Sequence, residues 1–221
     1  MKRKQLYSIA INPHCSRVYP QASSYRESNH NPLDQIVQKL TAEGASVLGV
    51  DINAKENEST AASCPSGSCH AFAADITLES SWREILSTVL LKFSNRLDVV
   101  VNCAGVVHIA APSHEVPEDQ FDLMFKVNVK PLYLSTKVIV PWFKENKVAG
   151  SFVNLSSISE ARPRPNLVWY AASKGAVTVV SVSSFLCAGV VIYERIPADG
   201  LRAFSDDKRS GCRVCRGSDQ V

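Results

Sequence analysis

A chain of 221 residues, 45% hydrophobic and 20% charged, has the balance of one soluble globular domain and the length to bury a sizeable core. The formal charge of +3, with no basic stripe interleaved with aromatics, argues against nucleic acid as a partner and leaves small-molecule chemistry as the expectation. Seven cysteines, an odd number without framework spacing, suit reduced thiols in a cytoplasmic compartment.

The start, MKRKQLYSIAINPH, has basic residues before an apolar run, as a secretory signal does. That run, Leu6 to Ile11, is too short for the apolar region of a signal and lacks a small-residue cleavage site. From Leu33 the chain alternates regularly. LDQIVQKLTAEG carries Leu33, Ile36, Val37 and Leu40 at helical spacing, and Gly44 ends the helix. ASVLGVD is a short strand closing on Asp51. Asn53 to Cys69 is polar and Ser-rich without periodicity, and reads as a loop. HAFAAD is a second strand closing on Asp75. TLESSWREILSTVLLKFS reads as a helix with Thr77 as N-cap and Glu79 and Glu84 toward its positive end.

LDVVVNCAG is the clearest buried strand, because Val99, Val100 and Val101 form the continuous apolar run expected in a parallel sheet covered on both faces. A long helix over about Glu118 to Phe143 is interrupted near Pro131, SFVNLSS is another strand, and Tyr170 to about Ser184 another helix. Gly175 to Tyr193 contains no charge and approaches the ~20 residues of a membrane span, but serines and a threonine dilute it, and a buried helix running into a strand accounts for it as well. The strand and helix rhythm predicts an α/β fold with a parallel sheet wound on both sides.

Ligands of such sheets bind beyond the carboxyl ends of the strands. Asp51, Asp75, Asn102 and Ser157 all fall there. Singly, each reads as a turn residue or a cap; together they define the rim of one crevice. Cys64 with Cys69, and Cys212 with Cys215, offer four thiolates, but the first gap is long for zinc and neither pair has a second knuckle nearby, so no metal is expected.

Tyr170 and Lys174 lie four apart in one helix and project from the same face. An ammonium beside a phenol stabilises the phenolate, drawing the tyrosine pKa down from about 10, so that Tyr170 becomes a candidate acid or base. Ser157, at a strand end, is placed to donate to the same carbonyl oxygen. On spacing alone, a packed tyrosine, a surface lysine and a loop serine explain the residues equally well.

Their neighbours resolve the choice. YAASK at Tyr170 to Lys174, the serine thirteen residues earlier in NLSS, NCAG at Asn102 to Gly105, VNVK around Asn128, Asp51 after the second strand and Asp75 in AADIT occur in the order found in the short-chain dehydrogenase/reductase family, which the chain resembles from about Leu33 to Val180. The resemblance implies a single-domain, Rossmann-type doubly wound parallel sheet and an NAD(P)-dependent oxidoreductase interconverting a carbonyl and a secondary alcohol. It implies Tyr170 as acid/base, Lys174 as the residue that lowers its pKa and holds the ribose hydroxyls, Ser157 orienting the substrate oxygen, and Asn128 keeping a water in a proton relay. Asp75 would contact adenine, and Asn102, Ala104 and Gly105 would line the cofactor. Asp51 would accept from the adenosine ribose and repel a 2′-phosphate, making NAD the expected cofactor and NADP the alternative. A homo-dimer or tetramer, without nucleic acid or membrane, is the implied state.

Both ends depart from the pattern. The family opens with a strand and a TGxxxGxG phosphate loop, whereas this chain has no glycine between Met1 and Glu43, and YRESNHNPLDQ precedes the first helix. LYSIAI is the only candidate for the missing central strand, and it would need an unusually long connection from Asn12 to Asn31. After Val180, GVVIYERI gives at most one surrogate strand, and LRAFSDDKRSGCRVCRGSDQV reads as a polar, partly disordered end. The expected organisation is a non-family segment over 1–32, a family core over 33–186 and a non-family tail over 187–221, with the fold incomplete at its first strand and C-terminal substrate region. A truncated or wrongly spliced gene model is the expectation that follows, and a catalytically inactive fragment lacking competent cofactor binding is the alternative to the oxidoreductase.

Overall fold

The computed structural model describes residues 8–13, 32–188 and 191–193. Six strands form one sheet: β1 (Ser8–Pro13), β2 (Ala45–Asp51), β3 (Cys69–Ala73), β4 (Val99–Asn102), β5 (Ser151–Asn154) and β6 (Val191–Tyr193), in the order β3-β2-β1-β4-β5-β6. The helices are α1 (Pro32–Ala42), α2 (Ala54–Ala62), α3 (Glu79–Lys92), α4 (Glu118–Asn128), α5 (Lys130–Glu145) and α6 (Val168–Ala188), with a single 3-10 turn at Ile158–Glu160.

Alternate residues of each central strand point to opposite faces, and both faces are covered. Leu48, Val50, Val100 and Phe152 pack with Trp82, Ile85, Val89, Ile139 and Phe143 from α3 and α5. Val47 and Val101 pack on the other face with Val37 of α1. Burial on both faces is why these strands read as apolar runs rather than as alternation. Gly44 turns α1 into β2 with φ +88°, a left-handed conformation that an L side chain rarely adopts.

β2 pairs with β3, β4 with β5, and β5 with β6, all in parallel. The departure lies at the centre. β1 occupies the place between β2 and β4 but runs antiparallel to both, with Ser8 opposite Val50 and Asn102 and Pro13 opposite Ala45. Six residues of strand thereby satisfy the ladder groups of β2 and β4 that an open centre would leave buried and unpaired. LYSIAI does supply the central strand, displaced to Ser8–Pro13; Leu6 and Tyr7 lie outside the described residues. The reversal has a topological cost, since the chain leaves β1 beside Ala45, at the edge of the sheet remote from Asp51 and Asn102.

Two local expectations are corrected. The stretch from Asn53 to Cys69 is not all loop: Ala54–Ala62 is a helix capped by Asn53, whose side chain accepts from Glu56 N. It shows no apolar periodicity because polar groups seat it. Asn57 Nδ2 donates to Gly49 O (2.8 Å) and Phe72 O (3.1 Å), and Thr60 Oγ1 donates to Asp34 (2.8 Å). Thr77 does not cap α3. The cap position is Leu78, and Thr77 N instead donates to Asp75 Oδ1 at 2.8 Å.

The other elements follow the expected order. The long helix divides at Val129, with Pro131 in the first turn of α5, where its missing N–H costs nothing. GVVIYERI supplies β6, and the apolar run from Gly175 is α6 leading into it. Among the described residues no helix is long and apolar enough to cross a membrane, and no three His, Cys, Asp or Glu residues could hold a metal. Cys212 and Cys215 lie outside the described residues.

Candidate active site

Asn128, the last residue of α4, organises the rim. Its Oδ1 accepts from Val106 N (2.7 Å), and its Nδ2 donates to Val106 O (3.0 Å) and to Ser173 Oγ (2.9 Å). One buried amide therefore joins the turn after β4 to α6. Ser173 in turn donates to Tyr170 O (2.8 Å), within the helix that carries Tyr170 and Lys174.

Lys174 is 5% exposed, and its Nζ donates to Leu155 O at 2.8 Å. Burial pushes its amine down from 10.5 to about 8, with nearby Cys103 acting weakly in the opposite sense. Gly105 lies against the lysine: a Cβ there would stand a tight 3.3 Å from Nζ and in ordinary contact, 3.5 Å, with Asn128 Oδ1. Ala104, one residue earlier, is buried. NCAG, the α4 asparagine and the α6 lysine thus meet at one point beyond β4.

Ser157 stands at the start of the 3-10 turn, where its Oγ accepts from Ser159 N at 3.2 Å. That contact uses a lone pair and leaves the O–H proton available for donation. Tyr170 is half-buried against Val106, Met124 and Val127. Trp169 beside it stacks edge-on against Phe121 of α4, with ring centroids 5.3 Å apart, and donates to Ser113 O at 2.9 Å.

On the other side of the crevice, Asp51 is buried at the end of β2 and accepts from Asn53 N. Asp75 forms the turn into α3. Asn102 is buried at the end of β4. Its Nδ2 donates to Asn154 Oδ1 (2.8 Å) and Ser135 Oγ (3.3 Å), and Asn154 Nδ2 donates onward to Ser181 Oγ (2.9 Å). This buried polar chain locks β4, β5, α5 and α6 together beneath the rim.

Several members of the site were not singled out in the sequence. Ser173 lies inside YAASK and Asn154 inside NLSS, yet neither was assigned a role. Ser156 accepts from Thr178 Oγ1 (3.0 Å) and lies 2.9 Å from both Lys174 O and Glu160 Oε2, fixing the β5 exit against α6. Helical spacing was the available signal, because Ser173, Val177 and Ser181 recur every four residues on one face of α6.

The residues fit a nicotinamide nucleotide unevenly. Lys174, Tyr170, Ser157 and Gly105 are the residues that would hold its ribose and reacting end. The pyrophosphate position requires a tight turn from the first strand into the N-terminus of a helix. β1 provides no such turn, because it leaves the sheet at the opposite edge.

The sheet is covered on both faces and carries Ser157 at the exit of β5 and Tyr170 with Lys174 on α6. Residues 34–184 match the family model for the short chain dehydrogenases, and the chain belongs to that family. It is 33% identical over 144 residues to 4-formylbenzenesulfonate dehydrogenase of Comamonas testosteroni, covering 64% of this chain and 56% of that protein. It is 34% identical over 141 residues to cyclopentanol dehydrogenase of Comamonas sp. strain NCIMB 9872, covering 62% and 55%. Among solved structures it resembles the 3-ketoacyl-(acyl-carrier-protein) reductase of Brucella melitensis complexed with NADH, at 34% identity and a TM-score of 0.60, covering 65% of this chain and 59% of that one. The chain spans a little over half the length of the curated relatives it matches.

Proposed function

We propose that this chain is an NAD(P)-dependent oxidoreductase interconverting a carbonyl and a secondary alcohol. The observation that carries the reading is the buried Lys174, held at Leu155 O beside Gly105 and one helical turn from Tyr170. A buried amine is costly to the fold and suits a binding role.

A bound nicotinamide nucleotide supplies or accepts the hydride. Within the chain, Lys174 Nζ donates to ribose hydroxyls, and Tyr170 Oη gives a proton to the carbonyl oxygen in reduction or takes it from the alcohol in oxidation. Ser157 donates to that same oxygen and stabilises the charge that develops on it. Asn128 holds the turn after β4 against α6 and sets a polar path toward Lys174. Asp51 accepts from the adenosine ribose, and its carboxylate repels a 2′-phosphate, so NAD is preferred over NADP. Asp75, Asn102, Ala104 and Gly105 line the cofactor. A homo-dimer or tetramer belongs to the same reading.

Purified chain supplied with NAD(H) or NADP(H) and a panel of cyclic and aromatic alcohols and their carbonyls should turn over nucleotide, and Tyr170→Phe should not. Absence of turnover across the panel in the wild-type chain would contradict the reading. The reversed β1 favours a second one, a folded chain without activity because the pyrophosphate has no turn to bind. It predicts no saturable binding of either nucleotide.

A further inference from the structure

A second chemical feature lies at the opposite edge of the sheet and does not depend on the oxidoreductase reading. Cys64 follows the last turn of α2, and Cys69 opens β3 opposite Val47. The four residues between them close on themselves. Ser68 donates to Pro65 O through both its N (3.0 Å) and its Oγ (2.6 Å), and Gly67 takes a left-handed conformation at φ +75°. The turn sets both side chains against one apolar cluster. Cys64 S–H donates to Thr60 O at 3.4 Å. Both thiols are half-buried and free, packed against the cluster of Val37, Ala45 and Val47. Cys103, by contrast, stands beside Lys174.

We propose that Cys64 and Cys69 form a reversible dithiol–disulfide site that joins the end of α2 to the start of β3. Oxidation proceeds by exchange with a low-molecular-weight disulfide such as glutathione disulfide. Cys64 thiolate attacks one of its sulfurs, a Cys64–glutathione bond forms, and one glutathione thiolate leaves. Cys69 then loses its proton, its sulfur attacks Cys64, and the second glutathione leaves. Two protein thiols are oxidised and one disulfide is reduced to two thiols. Burial, and after it the neighbouring Cys64, pushes the Cys69 thiol up to about 12, which suits Cys69 to the second step rather than the first.

The tryptic peptide from Glu56 to Arg83 contains both cysteines and no third, which makes mass spectrometry of the intact chain decisive. Titrated with glutathione disulfide and then alkylated, the folded chain should yield this peptide lighter by two hydrogens and free of glutathione. It should do so at a disulfide-to-thiol ratio at least ~10-fold lower than the urea-unfolded chain requires, because folding holds the thiols together. Cys69→Ser should trap glutathione on Cys64. A wild-type peptide that retains two alkylatable thiols where the unfolded chain is oxidised, or that keeps bound glutathione, would overturn the proposal.

Discussion

The two sides of the crevice are built on different principles. Around α4, β5 and α6, buried amides and hydroxyls tie every element to its neighbour: Asn128 to Val106 and Ser173, and Asn102 to Asn154 and on to Ser181. Around β1 and β2, position rests on ladder pairing, and the ladder at β1 runs backward. A strand of either direction satisfies its neighbours' N–H and C=O groups, so the sheet closes and the core forms whichever way β1 runs. Direction matters for what leaves the strand. The polar network holds α4, β5 and α6 in register, whereas β1 ends at Pro13 beside Ala45, away from Asp51 and Asn102.

The comparison makes its largest prediction on the polar side. Tyr170→Phe should lower turnover by roughly 10²–10⁴-fold with little change in urea unfolding, since the hydroxyl belongs to the chemistry and the ring to the packing. Equal loss of activity and stability would place Tyr170 among the structural residues instead. Asn128→Ala should cost about 3 kcal/mol or more, because Val106 N, Val106 O and Ser173 would lose a buried partner together. A loss under ~1 kcal/mol in urea titration would show that water replaces the amide and that the rim is not locked.

On the other side, Ala10→Pro inserts a residue without an N–H into a strand paired on both edges. It should destabilise by roughly 2–4 kcal/mol. Unchanged stability would mean that β1 does not hold the centre of the sheet.

A smaller effect separates the sides by pH. Lys174 titrates at about 8 in the fold against 10.5 when free, so above pH 8 the unfolded chain binds the extra proton and stability should rise with pH. From pH 8 to 9 Lys174 contributes about 1 kcal/mol, of which roughly 0.7 kcal/mol is offset by Cys69 and Cys103, whose thiols begin to ionise in the unfolded chain, leaving a net gain of only about 0.3 kcal/mol. Above 9 the free thiols ionise while Cys69 and Cys103 stay protonated to about 12, and the gain should halt and reverse. Lys174→Met should turn the small rise between 8 and 9 into a fall of roughly 0.7 kcal/mol; a rise that persists would assign it to another group.

The sequence made the two sides unequally legible. The run Val99 to Val101, the strand from Ala45 to Asp51 and the turn at Gly44 could be read because burial on two faces and a positive φ each select residue types. Tyr170, Lys174, Ser157, Asn128 and Gly105 could be read through the family motifs. The direction of β1 could not, since its alternation looks the same from either end and pairing partners are chosen in three dimensions. Helix α2 escaped because Asn57 and Thr60 seat it by hydrogen bonds, and polar helix faces leave no apolar period. Asn154, Ser135 and Ser181 escaped for a related reason: buried asparagine and serine share their composition with turns, and only contact distinguishes them.

Calorimetric titration of the wild-type chain with NADH tests the central claim most directly, because the proposed chemistry requires the nucleotide to reach Lys174 past the reversed strand. The account predicts saturable one-to-one binding that is lost in Lys174→Met. No heat of binding at any accessible concentration, from a chain whose unfolding is cooperative, would contradict it and leave a folded member of the family without the family's chemistry.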